Sequence, residues 1–156
     1  MAEDLEQLED WIGALIAKLE PGQRRQLARA IGMDVRKAQV SRIAAQMNPD
    51  GSSYTPRKRP PLRAKAGRVK RHAGDMFRKL RSSAYLGVQA TQDEVAIGFF
   101  NPAVSRLARV HQEGLVDKVE RKPGAPSVRY AMRQLLGYTD GDRERVADLV
   151  MKHLQP

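Results

Sequence analysis

The sequence predicts an α+β fold, and three observations carry that prediction. Apolar residues recur at helical spacing through the first 47 positions. A basic, proline- and glycine-rich stretch follows. Beyond it come short clusters of β-formers, broken by turn residues and by further helical spacing. The expected architecture is an N-terminal helical hairpin over 1–47, a long basic loop over 48–75, and a small antiparallel sheet with helices packed on it over 76–156. All of it is read as a single domain, 1–156.

Residues 3–20 place Leu5, Leu8, Ile12, Leu15, Ile16 and Leu19 on one helical face, with Trp11 at its edge. Glu3, Asp4, Glu6, Glu9 and Asp10 lie at the positive end of that helix's dipole. Pro21-Gly22 breaks the pattern, and a second helix is expected from about Gln23 to Met47. Its apolar residues form two stripes, one through Leu27, Ile31, Val35 and Ala38, the other through Val40, Ile43 and Met47. Two stripes imply two contacts, one of them the hairpin partner. Asn48-Pro49-Asp50-Gly51 stops the helix: proline removes a backbone donor and pushes Asn48 out of the α region, and Asp-Gly supplies a turn.

"LRSSAYLGVQA" and "DEVAIGFF" around Thr91-Gln92-Asp93 predict a β-hairpin. Asn101-Pro102 starts a helix with Val104, Leu107, Ala108 and His111 on one side and Gly114 as its cap. "VDKVERK" and "SVRYAMRQLLG" form a candidate second strand pair, and a last helix begins at Asp140 with Val146, Leu149, Val150 and Leu154 as its apolar face.

The formal charge of +10 is not spread over the chain. Between Tyr54 and Arg81 stand eleven Lys/Arg against Asp75 alone; with 28 cations and 18 acids in total, seventeen of each remain elsewhere. Three readings of this segment stay open: a solvated loop, a docking element for an acidic protein surface, or a polyanion contact through Arg57, Lys58, Arg59, Arg63, Lys65, Arg68, Lys70 and Arg71. Few aromatics are available for base stacking, and the segment has no recognition-helix pattern, so nucleic-acid binding through 54–81 is the alternative function and not the first.

Chemistry is sparse. His72, His111 and His153 share no metal-ligand spacing, no serine sits in a nucleophile elbow, and there is no glycine-rich phosphate loop. With no cysteine, thiolate metal sites and disulfides are excluded. The expectation is a non-enzyme without metal or cofactor. An acidic N-terminus and the lack of an apolar run near ~20 residues favour a soluble, intracellular chain that does not engage membrane.

Four separated pieces together resemble a known family. They are "RIAAQMNPDGSSYTPRK" (Arg42–Lys58), Met76–Leu80 with the strands ending "VAIGF", "LARVHQEG" (Leu107–Gly114), and "YAMRQLLGYTDGDRERVADLVMKHL" (Tyr130–Leu154). The combination of Gln-x-x-Pro-Asp-Gly, His-Gln-x-Gly and Arg-x-Leu-Leu-Gly is similar to the phage virion morphogenesis, or tail completion, proteins of contractile-tailed and Mu-like phages and prophages. The resemblance runs from about Val40 to Leu154. It implies a connector- or terminator-like fold and a structural protein that completes the tail and supports head–tail joining, acting as a ring of its own copies. Other tail and neck proteins are the implied partners, with DNA contact secondary, in the bacterial host cytoplasm during assembly and then in the virion. The motif residues implied to form the assembly interface are Arg42, Gln46, Pro49, Asp50, Gly51, Tyr54, His111, Gln112, Gly114, Arg133, Leu136 and Gly137.

Overall fold

The computed structural model describes residues 2–58 and 75–155, with the side chains of residues 2–5 and 8 outside the description. Four helices and two short hairpins alternate: α1 (Ala2–Ile16), α2 (Pro21–Ala44), β1 (Leu86–Ala90), β2 (Val95–Phe99), α3 (Pro102–Glu113), β3 (Val116–Lys118), β4 (Ser127–Arg129) and α4 (Asp140–Leu154). This is the α+β class. The strands form two separate two-stranded sheets, β1–β2 and β3–β4. Most of the basic loop expected over 48–75, from residue 59 to residue 74, lies outside the described residues.

Two compact units are built from the chain: residues 1–38, 87–98 and 138–156 in one, and residues 39–86 and 99–137 in the other. In the first unit α2 starts two residues earlier than its apolar spacing suggests. Pro21 is its first residue, where a missing N–H costs nothing, and the Gln23 side chain accepts from the Glu20 backbone N–H at 3.0 Å. Gly32 lies where the hairpin crosses the helix. A Cβ there would stand 2.4 Å from Val88 Cγ1 and 2.8 Å from Val95 Cγ2. Helix α4 opens with a capping box in which Thr139 and Asp142 satisfy each other's backbone N–H groups. Burial raises the Asp142 pKa, but bonds from the Thr139 N–H and hydroxyl and from Arg145 outweigh it and leave the carboxyl below its usual range. Arg145 also donates to Asp34 at 3.1 Å, tying α4 to α2. Leu27, Val35 and Val150 are the buried apolar residues of this unit.

In the second unit Ile43, Tyr54, Met76, Leu80, Leu86, Phe99, Ala108, Val110 and Leu135 are buried. On α3 the buried pair is Ala108 and Val110, while Leu107, expected on the inner face, is 47% exposed. The β3–β4 register pairs Val116 with Arg129, Asp117 with Val128 and Lys118 with Ser127. The second strand ends there, at Arg129, well short of the Gly137 that "SVRYAMRQLLG" allows.

Replacing Gly32 by alanine drives a methyl into two β-branched side chains with little rotamer freedom. The Gly32→Ala variant is expected to lose about 1–3 kcal/mol in chemical denaturation. Gly13→Ala, with no atom within 4 Å of the new carbon, is the control that keeps or gains stability.

Candidate functional site

The twelve motif residues all lie in the second unit, and many of them converge on one segment. Residues 130–137 have no regular secondary structure, yet most of their backbone groups are bonded, chiefly to side chains. The segment begins and continues with main-chain bonds, Tyr130 N–H to Leu115 O at 3.0 Å and Arg133 N–H to His111 O at 2.7 Å. From Gln134 onward side chains take over. Gln134 N–H donates to Asn48 Oδ1 at 2.9 Å, and its carbonyl accepts from the Tyr54 hydroxyl at 3.0 Å.

Two glutamines act on this segment in the same way, since a primary amide carries one acceptor and two donors in the geometry of a peptide group. Gln112, at the end of α3, accepts from Leu135 N–H at 2.8 Å and Leu136 N–H at 3.0 Å and donates to Leu136 O at 2.9 Å. Gln39, on α2, accepts from Gly137 N–H at 3.1 Å and donates to Gly137 O at 2.9 Å. Arg42 donates to that same carbonyl at 2.8 Å and also to Gln39 Oε1. Gln39 is 2% exposed and is absent from the motif set. Its position was nevertheless readable: the buried stripe of α2 runs Leu27, Val35, Gln39, Ile43, in steps of eight and four. An apolar filter steps over the one polar residue in it.

A third glutamine closes α2. Gln46 adopts the left-handed conformation at φ 59, with its N–H on Ile43 O at 3.0 Å and the Met47 N–H on Arg42 O at 3.1 Å, a Schellman termination. Glycine is usual there; glutamine is held because its side chain brackets Met76, accepting from the N–H at 2.9 Å and donating to the carbonyl at 3.0 Å. The chain then reverses over Pro49-Asp50-Gly51. Gly51 N–H donates to Asn48 O at 3.0 Å, Asp50 Oδ1 accepts from Ser52 N–H at 2.8 Å, and Met47 bridges Ser53. Gly51 takes φ 86. Pro49 presses on Gly137, where an added Cβ would lie 2.4 Å from Pro49 Cγ. Gly114, the α3 cap at φ 65, faces the Met132 backbone less tightly, at 3.1 Å from an added Cβ.

Arg133 is 6% exposed. It donates to Thr55 O at 2.7 Å and Pro56 O at 3.1 Å, anchoring the first described residues of the basic segment. Its third contact is His111 Nδ1 at 3.4 Å. His111 stands in a row of rings, 4.8 Å from Phe77 and 5.1 Å from Tyr130, with Tyr54 5.8 Å beyond Phe77, all edge-to-face. Burial, then the positive charges of Arg133 and Arg57, push the His111 pKa down to about 4. Burial likewise lifts Tyr54 to about 12 against the opposing field of Arg42. Phe77 has φ 66, an outlier for a bulky side chain, and its ring contacts hold it there.

The arrangement is a frame and offers no reactive group. The imidazole is half-buried and neutral, and among the described residues no three of His, Cys, Asp and Glu converge as metal ligands. No helix among the described residues is long and apolar enough to cross a membrane. Of the eight candidate polyanion contacts, Arg57 and Lys58 are exposed; Arg59, Arg63, Lys65, Arg68, Lys70 and Arg71 lie outside the described residues.

A sequence profile of the phage virion morphogenesis family matches residues 3–155. The chain belongs to that family. Its members are structural proteins of virion assembly and are not known as enzymes. The match includes the N-terminal helix, which the motif resemblance leaves out. The tail completion protein S of Escherichia phage P2 is 35% identical over 152 residues, covering 97% of this chain and 98% of that protein. No solved structure matches the chain.

Two measurements test the frame. Gln39→Met keeps the volume but strands the N–H of Gly137, whose carbonyl retains Arg42, and should cost about 1–3 kcal/mol in urea denaturation, as should Gln112→Met, which strands the N–H groups of Leu135 and Leu136. The unfolded chain binds a proton at His111 near pH 6.5, and the native chain refuses it until about pH 4. Stability from this group is therefore complete above pH 6.5 and falls as pH drops from 6.5 towards 4. His111→Phe should flatten that part of the stability–pH curve relative to the parent; parallel curves would reject the assignment.

Proposed function

We propose that this chain completes the phage tail and supports its joining to the head, acting through protein–protein contacts with tail and neck proteins. The single observation that carries the reading is the 35% identity to a tail completion protein over nearly the full length of both chains. Because the relationship spans residues in both compact units, we treat 1–156 as one functional module. The site of action is the virion, reached from the host cytoplasm.

We further propose that copies associate into a ring. In the second unit, large apolar side chains stand exposed beside the frame: Met132 is 56% exposed, Leu107 47% and Val116 53%. A monomer gains nothing from a rigid scaffold that presents such residues outward, whereas an assembly interface does. The motif residues serve that interface from behind, fixing the backbone from which Met132 projects. DNA contact by the cations of 54–81 is the secondary reading, favoured by the placement of the entire net charge there. Its signature is duplex binding that weakens steeply with salt and with neutralisation of Arg57 and Lys58.

Deleting the gene from the phage should leave heads and unjoined, incomplete tails side by side in negative-stain micrographs, with joined particles restored by the gene in trans. A normal yield of joined virions without the protein overturns the reading.

A further inference from the structure

A cleft of about 500 Å³ opens in the second unit. Phe77, Leu80 and Leu107 give it apolar walls, and the exposed cations Arg57, Arg78 and Lys79 line it as well, against the single acid Asp75. Among the described residues no carboxylate pairs with Arg57 or with Arg133, and both cations press on His111 from beside the cleft. An apolar floor with unneutralised positive charge fits an acidic segment that carries a large apolar anchor.

The chain itself contains such a segment. Residues 1–17 hold five acids and no Lys or Arg, and Trp11, the only tryptophan, follows Glu9 and Asp10 directly. None of the described side chains of α1 is buried: Ile12, Leu15 and Ile16 are half-covered, and Trp11 is 49% exposed. Pairing two such helices with each other would bring like charges together, which disfavours an α1–α1 contact.

We propose that α1 of one copy docks in this cleft on a second copy, with Trp11 on the apolar floor and Glu6, Glu9 and Asp10 facing Arg57, Arg78 and Lys79. The contact joins two different surfaces, so a pair retains a free cleft at one end and a free helix at the other; successive copies then close into a ring or continue as a filament. The inference rests on the ring reading above and names the surfaces that would build it.

Sedimentation velocity on the full chain tests it. The parent protein should self-associate more strongly at low salt than at high salt, with the emission of its one tryptophan shifting to the blue. A cleft variant, Arg57→Glu/Arg78→Glu/Lys79→Glu, and a helix variant, Glu6→Lys/Glu9→Lys/Asp10→Lys, should each be monomeric and keep the parent circular dichroism spectrum. Mixed, they should associate again with the two variants alternating, because each helix then meets a cleft of opposite charge on the other variant. Both sets in one chain should restore association. Should the triple variants fail to fold, Trp11→Ala, which truncates a half-exposed side chain, should still weaken association at least tenfold. A parent chain that stays monomeric at every concentration overturns the proposal, as does association that survives either reversal. Complementation of the deleted phage separates the two readings: variants that restore joined virions while their self-association is unchanged remove this surface and leave tail completion standing.

Discussion

The structure of the second unit depends on glutamine amides that do the work of a neighbouring strand. Gln39 and Gln112 meet the backbone of Leu135–Gly137 with donor and acceptor together, and Gln46 does the same for Met76. A buried backbone group without a partner costs on the order of 1–3 kcal/mol, so an irregular segment can enter a protein interior only if each such group is matched. Helices α2 and α3 supply the amides from fixed positions, and the segment takes its course between them. Gly137, held by Gln39 and Arg42, lies so close to Pro49 that no space remains for a Cβ there.

Charge is managed around that frame in an unusual way. Arg133 is nearly enclosed, and its guanidinium is spent on the carbonyls of Thr55 and Pro56 and on a neutral imidazole. Carbonyl oxygens stabilise a cation without cancelling it, so the positive potential persists next to the aromatic row and adds to burial, the larger cause, in lowering the proton affinity of His111. The first described residues of the basic segment are thus fixed from their backbone side, and Arg57 and Lys58 follow immediately, both exposed.

Much of this was legible in the sequence. Helical spacing, the Thr91-Gln92-Asp93 turn, Asn101-Pro102 and the helix start at Asp140 mark elements whose signals are local, and those elements appear where the residues place them. Several motif residues are neighbours although they stand far apart in the chain, as Arg42 and Gly137 do across 95 positions. Other features were not readable because their causes are non-local. Leu107 looks like an inward residue by spacing, but the packing of α3 buries Val110 instead. Tyr130–Gly137 reads as a strand by composition, yet its partners are side chains, which periodicity does not register. Gln39 was hidden by its own polarity on an apolar stripe. The left-handed Phe77 has no sequence signal at all, since nothing local favours it.

The amide-bracketed segment has a further consequence for how this protein behaves when crowded. An extended stretch with open N–H and C=O groups is a template on which any other chain can add a strand, an association that is cooperative and hard to reverse. Between Gln134 and Gly137 that template is already occupied by the protein's own side chains. Contact there must go through side chains such as the exposed Met132, one patch at a time. Chains that meet wrongly there can then separate and try again, a form of proofreading that a backbone-paired edge does not allow.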